Sequence, residues 1–540
     1  MKRISIVLSF ALFAQAFPAV VRAQRGPSGS AAIRPDAIRA HMQFLADDLL
    51  EGRGTGTRGF HLAAKYVAAQ YEAMGLTSRM QIVPFRKAVA LDSSSIVLER
   101  AGSPPITLRY AEGFMTSGDP LREDATADAS VVFAGYGITS PERKYDDYAG
   151  LDVRGKIVAL MSGAPDDFPT DLRAHYSASL TKAEGAVTHG AIGVLNFNSA
   201  YAERMYNWSR VVRQSKLGSM YWLDAAGAPR SAFSQIGASA SLSHEGAEQL
   251  FAGSGHTVDE VQKGTVKPFT LPVRARLHIA SRFEPVESEN VIGVLTGSDP
   301  VLKNEYVVYS AHLDHLGISE PVNGDSINNG ALDNASGIAA MLEVAHAFTA
   351  LATKPRRSIL FLATTGEEKG LRGADYFANN PTVPLASIVA DINIDEILMF
   401  VPARDVVQLG AEHSTLEDVL KKAGKKLGID ISPDPYPAEV GFVRSDQYPF
   451  VKRGVPSVYV GAGYHSVDPK QDAGAAQMKW VETVYHSPMD DMSQKIDFSI
   501  GAQVALFDFE VGLEVANGSG RPRWKKGDFF GEKFGRPKGN

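Results

Sequence analysis

Five short segments between residues 309 and 491 hold the residue types that hydrolytic and metal chemistry need. In Tyr309-Ser310-Ala311-His312-Leu313-Asp314-His315, a histidine closes an apolar run and an aspartate stands two residues on. Gly330-Ala331-Leu332-Asp333-Asn334-Ala335-Ser336-Gly337 places an aspartate just ahead of a long helical pattern. Thr365-Gly366-Glu367-Glu368 and Asn393-Ile394-Asp395 each follow, or end, a further apolar run. Tyr485-His486-Ser487-Pro488-Met489-Asp490-Asp491 lies in a turn-like stretch.

Each piece alone has an ordinary structural explanation. Asp333 would cap a helix starting near Asn334. Glu367 and Glu368 would suit a first helical turn. A lone His312 or His486 would be a surface or satisfied histidine. Their joint occurrence points elsewhere, because the acids and imidazoles fall at the ends of strand-like runs and Lys369 is the one basic residue directly adjacent. Crowded carboxylates repel one another unless a cation neutralises them. The chain has no cysteine, which excludes disulfides, thiol catalysis and thiolate metal sites. Any metal must sit on His, Asp and Glu, a set that zinc accepts.

The elements that would position these residues follow from hydrophobic period. Tyr306–Ala311, Ser358–Ala363, Ile388–Ile394 and Val455–Val460 predict central strands. Segments 334–350, 367–379 and 413–427 lie between them as helices. This alternation predicts an α/β fold, a doubly wound and mainly parallel sheet with helices on both faces. Ligands gather at the carboxyl ends of the strands in such a sheet. Upstream, Ile38, Met42, Leu45 and Leu49 predict a helix over 35–50, and a second helix runs over 60–75 and stops at Gly75. Residues 111–285 change character, carry few candidate catalytic groups and predict an inserted, smaller, β-rich domain. That domain is expected to hold no catalytic residue and to narrow access to the site or help select substrates. The partition predicted is therefore 24–110 for the N-terminal part of the main domain, 111–285 for the insertion and 286–515 for the catalytic part. Residues 516–540 are Gly-rich and basic without apolar period, which predicts a flexible, dispensable tail.

A chain of 540 residues calls for two or more domains. Net charge is 55 − 61 = −6, so nothing points to a nucleic-acid partner. Lys2 and Arg3, the apolar run 4–21 and Val21-Arg22-Ala23 predict a signal peptide over 1–23, hence a periplasmic or secreted protein. No later stretch is apolar enough to span a bilayer, so no stable membrane insertion is expected once the signal is cleaved. Two motifs are decoys. Gly54-Thr55-Gly56-Thr57-Arg58-Gly59 has dinucleotide-type glycines but follows a helix rather than a strand. Gly150 to Gly155-Lys156 has phosphate-loop spacing, but Ile157 stands where Ser or Thr must bind magnesium.

Together the five segments resemble the zinc aminopeptidase and glutamate carboxypeptidase family of clan MH. That family's order is His-x-Asp, Asp-x-x-Ser-Gly, Glu-Glu, Asn-x-Asp and Tyr-His-Ser/Thr, and this chain has each in turn. Residues 125–200 resemble the protease-associated domain often inserted in the family, and Glu-Gly-Arg-Gly-Thr-Gly with its helix resembles the usual N-terminal part. The resemblance implies two zinc ions. His312 and Asp395 would bind one, Glu368 and His486 the other, and Asp333 would bridge both. Glu367 would be the general base, and Asp314 would orient His312. Gln447 stands where the family often has histidine, and Tyr448 and Tyr464 are both candidates for stabilising an oxyanion.

The function implied is that of a metallo-exopeptidase, foremost an aminopeptidase acting on peptides with a free N-terminus. A carboxypeptidase-like or dipeptide-cleaving hydrolase would need a basic pocket for a substrate carboxylate. A cyclising transferase of related fold uses a single zinc. A binding or receptor protein on this fold would be expected to have lost ligands or the base.

Overall fold

The computed structural model describes residues 29–536. The signal peptide expected over 1–23 lies outside the described residues, as does the end of the expected tail.

The catalytic part is built on a sheet whose centre is parallel. Tyr306–His312 lies between Ser358–Thr364 and Ile388–Asn393, parallel to both. Ile388–Asn393 pairs in parallel with Ser457–Ala462. Beyond it, Asp405–Leu409 runs antiparallel to Ser457–Ala462 and carries Asp430–Ser432 at the edge. On the other side Val291–Leu295 pairs antiparallel with Ile359–Ala363. Every residue of Ser358–Thr364 and of Ile388–Asn393 is buried, as expected for strands covered on both faces. Helices Pro35–Leu45, Ser336–Thr349 and Phe498–Asn517 pack together in one hydrophobic core against this sheet.

Helix Pro35–Leu45 is shorter than the apolar spacing predicts. Ile38, Met42 and Leu45 are buried, but Leu49 is 77% exposed. The chain leaves the helix at Ala46 and turns through Glu51, Gly52 and Arg53, all with positive φ. The second helix, Arg58–Ala73, ends at Met74, and Gly75 then takes φ +77°. Residues 367–371 form turns, and the helix expected over 367–379 begins only at Arg372.

The boundaries of the insertion differ from those expected. Phe269–Leu295 is a single strand of 27 residues. Its first half pairs with Ser95–Glu99 and Asp124–Phe133 in the smaller lobe, and its second half with the catalytic sheet. The lobe therefore starts before Ser95 rather than at 111, and residue 285 falls in mid-strand. Sequence period cannot mark a boundary that a continuous strand crosses. The lobe combines strands with helices. Parallel strands Asp124–Phe133, Ile157–Met161, Gly193–Phe197 and Ala238–Leu242 alternate with helices such as Ser179–Thr188 and Trp208–Lys216.

The expected flexible tail is a correction. Residues 516–517 end the long helix Phe498–Asn517. Residues beyond it run back over the catalytic part, with Thr415 N donating to Arg523 O and a short helix at Phe529–Phe534. Phe530 is fully buried beside Phe442, His413 and Tyr448. Trp524, Phe529, Phe530 and Phe534 anchor the segment as separate contacts, so no period announces them.

Candidate active site

The five sequence segments meet at the carboxyl ends of the parallel strands. His312 is the last residue of its strand, Glu367 and Glu368 follow Ser358–Thr364 by a tight turn, and Asp395 lies just beyond Ile388–Asn393. Gly366 makes the turn with φ +67°. Asp333 does not cap the helix behind it. Asn334 does so instead, its Oδ1 accepting from Gly337 N at 2.9 Å. A Cβ on Gly337 would lie 2.2 Å from that oxygen and 2.5 Å from Ile394 O, so the glycine of Asp-x-x-Ser-Gly lets the helix start against the neighbouring strand end.

The structure brings His312, Asp333, Asp395, Glu368 and His486 together. His312 Nε2 is 3.0 Å from Asp395 Oδ1 and 3.2 Å from Asp333 Oδ1. His486 Nε2 is 3.1 Å from both Asp333 Oδ2 and Glu368 Oε2. Asp333 thus presents one oxygen to each side. His315, given no role by sequence reasoning, joins the second group, with Nδ1 2.6 Å from Glu368 Oε1 and 3.7 Å from Asp333 Oδ2. It is fully buried. Its place in His312-Leu313-Asp314-His315 was the available signal.

The surroundings are strongly polarised. Burial alone would lower the His312 imidazole, but Asp395, Glu367 and Asp333 outweigh it and hold it well above its usual value. Burial would raise Asp333, yet His315, His312 and His486 pull it well below the carboxylate range. Glu367 goes the other way, pushed well up by burial and by Glu368, Asp395 and Asp446, with His312 opposing. His315 Nε2 is buried without a hydrogen-bond partner, and Asp333 Oδ2, Glu368 Oε1 and His315 Nδ1 are buried with imidazole and carboxylate neighbours that lack hydrogen-bond geometry. Orphaned buried oxygens among imidazoles are what a cation would satisfy. Two ligand groups, His312–Asp333–Asp395 and His315–Asp333–Glu368, each place their donor atoms within 4.8 Å of one another.

Several supporting residues escaped the sequence reading. Asp314 was expected to orient His312, and it meets that ring through its backbone, His312 Nδ1 facing the Asp314 carbonyl oxygen at 3.0 Å. The carboxylate accepts from Glu367 N at 3.1 Å and from Thr55 Oγ1 at 2.9 Å. The dinucleotide-like glycine stretch therefore belongs to the site. Its neighbour Arg53, 1% exposed, donates to the carbonyls of Leu313, Asn329, Gly330 and Leu45 and so ties the His312 and Asp333 loops together. Asp490 accepts from the backbone N–H groups of Leu332 and Asp333 at 2.9 and 3.0 Å. Ser445 Oγ donates to Asp395 Oδ2, and Tyr459 OH to Asp395 O. Gln447 is buried scaffolding, accepting from Asn393 Nδ2 and donating to Phe442 O. Tyr448 has its hydroxyl against His175 Nδ1 at 2.7 Å, and the Tyr464 ring lies tilted against His465, centroids 4.3 Å apart.

Two cavities meet at this cluster. The smaller, about 180 Å³, is lined by His312, Asp333, Glu367 and Asp395, by Leu398, Val407 and Leu409, and by Glu396, Asp434, Glu439 and Arg444. Tyr206 of the inserted lobe closes one side. The larger, about 690 Å³, runs between lobe and catalytic part and reaches Glu367, Glu368 and His486.

The profile of Peptidase family M28 matches residues 290–505. Leupeptin-inactivating enzyme 1 of Streptomyces exfoliatus is 31% identical over 222 residues, 39% of this chain and 45% of that protein. A protein of Pyrenophora teres f. teres (strain 0-1) named "Probable zinc metalloprotease" is 36% identical over 114 residues, 21% of this chain and 23% of that one. The match thus spans less than half the length of these curated relatives. Among solved structures, the aminopeptidase from Aneurinibacillus sp. strain AM-1 shares the fold at TM-score 0.54 and 18% identity, covering 90% of this chain and 95% of that one. Every member of the buried cluster falls within residues 290–505, the stretch that is similar to Peptidase family M28.

Proposed function

We propose that the protein is a zinc-dependent aminopeptidase that removes N-terminal residues from peptides, with two zinc ions per chain. The observation that carries this reading is Asp333. One of its oxygens faces His312 and the other faces His486, while Glu367 stands beside both groups without belonging to either. His312, Asp395 and Asp333 would hold one ion, and Glu368, His486 and Asp333 the other, with His315 close behind. Bound zinc would polarise the scissile carbonyl and acidify a water toward neutral pH.

The chain's own groups do the rest. Glu367 would take the proton of the attacking water and hand it to the departing amine. Its backbone N–H is fixed by Asp314, which is fixed in turn by Thr55, so the carboxylate is aimed before substrate arrives. A cavity of about 180 Å³ suits a single side chain, since one of ~150 Å³ accommodates benzene. Its acids outside the ligand set, Glu396 and Asp434 among them, would complement a free ammonium group. The remainder of the peptide would leave through the larger cleft under the inserted lobe. We take that lobe as a protease-associated domain that restricts entry.

The carboxypeptidase alternative fares worse on the arginines. Arg444, in the smaller cavity, is paired to Glu439 at 2.9 Å, and Arg372, in the larger, lies over the Tyr221 ring at 4.4 Å. Arg444 is thus already neutralised by an acid of its own cavity. Export as a periplasmic or secreted protein remains part of the proposal, supported by the basic start and apolar run of residues 2–21. Among the described residues no helix is long and apolar enough to cross a membrane.

Hydrolysis of aminoacyl chromogenic substrates by zinc-loaded protein, compared with their acetylated forms, tests the reading. Cleavage of the free-amine forms alone is expected. Equal cleavage of acetylated forms, or release of C-terminal residues from peptides, would overturn it.

A further inference from the structure

We propose that Gln214, on the inserted lobe, is the positioning residue for His486, so that the lobe completes the metal site it covers; the inference rests on the zinc reading above. Gln214 Nε2 lies 2.8 Å from His486 Nδ1. The other ring nitrogen, Nε2, is the one that faces Asp333 and Glu368. His486 needs such a partner because its backbone gives little guidance. It sits in a turn with φ +55°, outside any helix or strand. The Tyr485 ring, 3.8 Å from its own centroid to centroid, covers one face but does not set which nitrogen points inward.

The helix that carries Gln214 is well anchored between the two parts of the chain. Asn207 caps it, its Oδ1 accepting from Arg210 N at 2.9 Å. Trp208 Nε1 donates to Ala111 O on the lobe side. Lys216 pairs with Glu320 at 2.7 Å on the catalytic side. Arg210 and Gln214 are one helical turn apart, so they share a face, and that face meets the segment Glu482–His486, with Arg210 Nη2 near Glu482 O at 3.5 Å.

The proton count fixes the role. An imidazole that gives its Nε2 lone pair to a metal keeps its proton on Nδ1, so its partner must accept. The glutamine amide can do so by presenting Oε1 at the Nδ1 position, a half-turn of the planar group that leaves the contact in place. His312 shows the same arrangement, with Nε2 among carboxylates and Nδ1 against an accepting oxygen, the Asp314 carbonyl. His312 is thus oriented from within the catalytic part and His486 from the lobe.

Gln214→Leu and Gln214→Glu in the full chain separate acceptor from packing. Zinc affinity of the metal-free proteins is read by competition with a chromophoric chelator, alongside apo-protein melting and kcat/KM. Gln214→Leu should weaken one zinc, and not the other, by roughly 10–100-fold, since partners behind a metal-bound histidine act at that scale. Gln214→Glu, which still accepts, should bind that zinc at least as tightly as the parent, and all three apo-proteins should melt alike. Unchanged affinity in Gln214→Leu would overturn the proposal. So would equal losses in both variants, which would mark a packing role. A parent protein that binds no zinc would overturn the underlying site reading instead, and the inference with it.

Discussion

Thr55 Oγ1 donates to Asp314 Oδ2 over 2.9 Å, joining a loop before the second helix to a residue at the mouth of the sheet. The second oxygen of the same carboxylate holds Glu367 N. A hydroxyl far upstream in sequence thereby sets the aim of the proposed base. Thr55→Val keeps the shape and removes the donor. It should lower kcat by roughly 10-fold, within the range seen for supporting partners of metal sites, and leave zinc content unchanged. Zinc analysis with steady-state kinetics checks this; loss of metal would mean that Thr55 supports the ligands rather than the base.

Arg53 should matter for stability more than any other residue of that loop. It is 1% exposed and serves four backbone carbonyls. Arg53→Met removes every donor and leaves buried acceptors unmet at about 1–3 kcal/mol each. A loss of at least about 3 kcal/mol is expected in chemical denaturation. A variant within about 1 kcal/mol of the parent would show that water replaces the guanidinium.

The C-terminal segment should be required for a stable fold. Phe530→Ala is expected to cost about 3–5 kcal/mol, the range for truncating a buried phenylalanine. The docking should also depend on pH. His413 Nδ1 is 2.7 Å from Asp528. Burial alone would lower the His413 imidazole, but the Asp528 hydrogen bond and Glu412 raise it above its usual value. A raised folded pKa gives stabilisation that is complete below the unfolded value of about 6.5 and fades as pH rises through the folded one. Stability should therefore fall above about pH 6.5, and Asp528→Asn should flatten that fall. Melting curves across pH 5.5–8.5, parent against variant, provide the comparison.

Much of this arrangement can be read from the chain because its strands are short runs buried on both faces. Tyr306–His312, Ser358–Thr364 and Ile388–Asn393 each stand within a residue or two of the apolar run that predicts them. The acids and imidazoles then fall at strand ends by position alone. What escapes is contact between residues distant in sequence. Thr55 and Gln214 are ordinary polar residues until folding sets them against Asp314 and His486. Leu49 misleads because the apolar spacing continues past Ala46, where the chain has already left the helix. The lobe's limits are hidden inside Phe269–Leu295, one strand that serves two sheets.

The contrast between two adjacent glutamates tests the central claim most directly. Glu368 lies against His315 and His486, where the proposal makes it a ligand, whereas Glu367 stands apart on the Asp314 hydrogen bond. Zinc content and turnover of Glu367→Gln and Glu368→Gln decide between roles. Glu367→Gln should keep both ions and lose roughly 10²–10⁴-fold in kcat, the usual contribution of a general base. Glu368→Gln should shed zinc, because a neutral amide is a poorer ligand than a carboxylate. Near-normal turnover in Glu367→Gln, or zinc lost from it and retained in Glu368→Gln, would contradict the account.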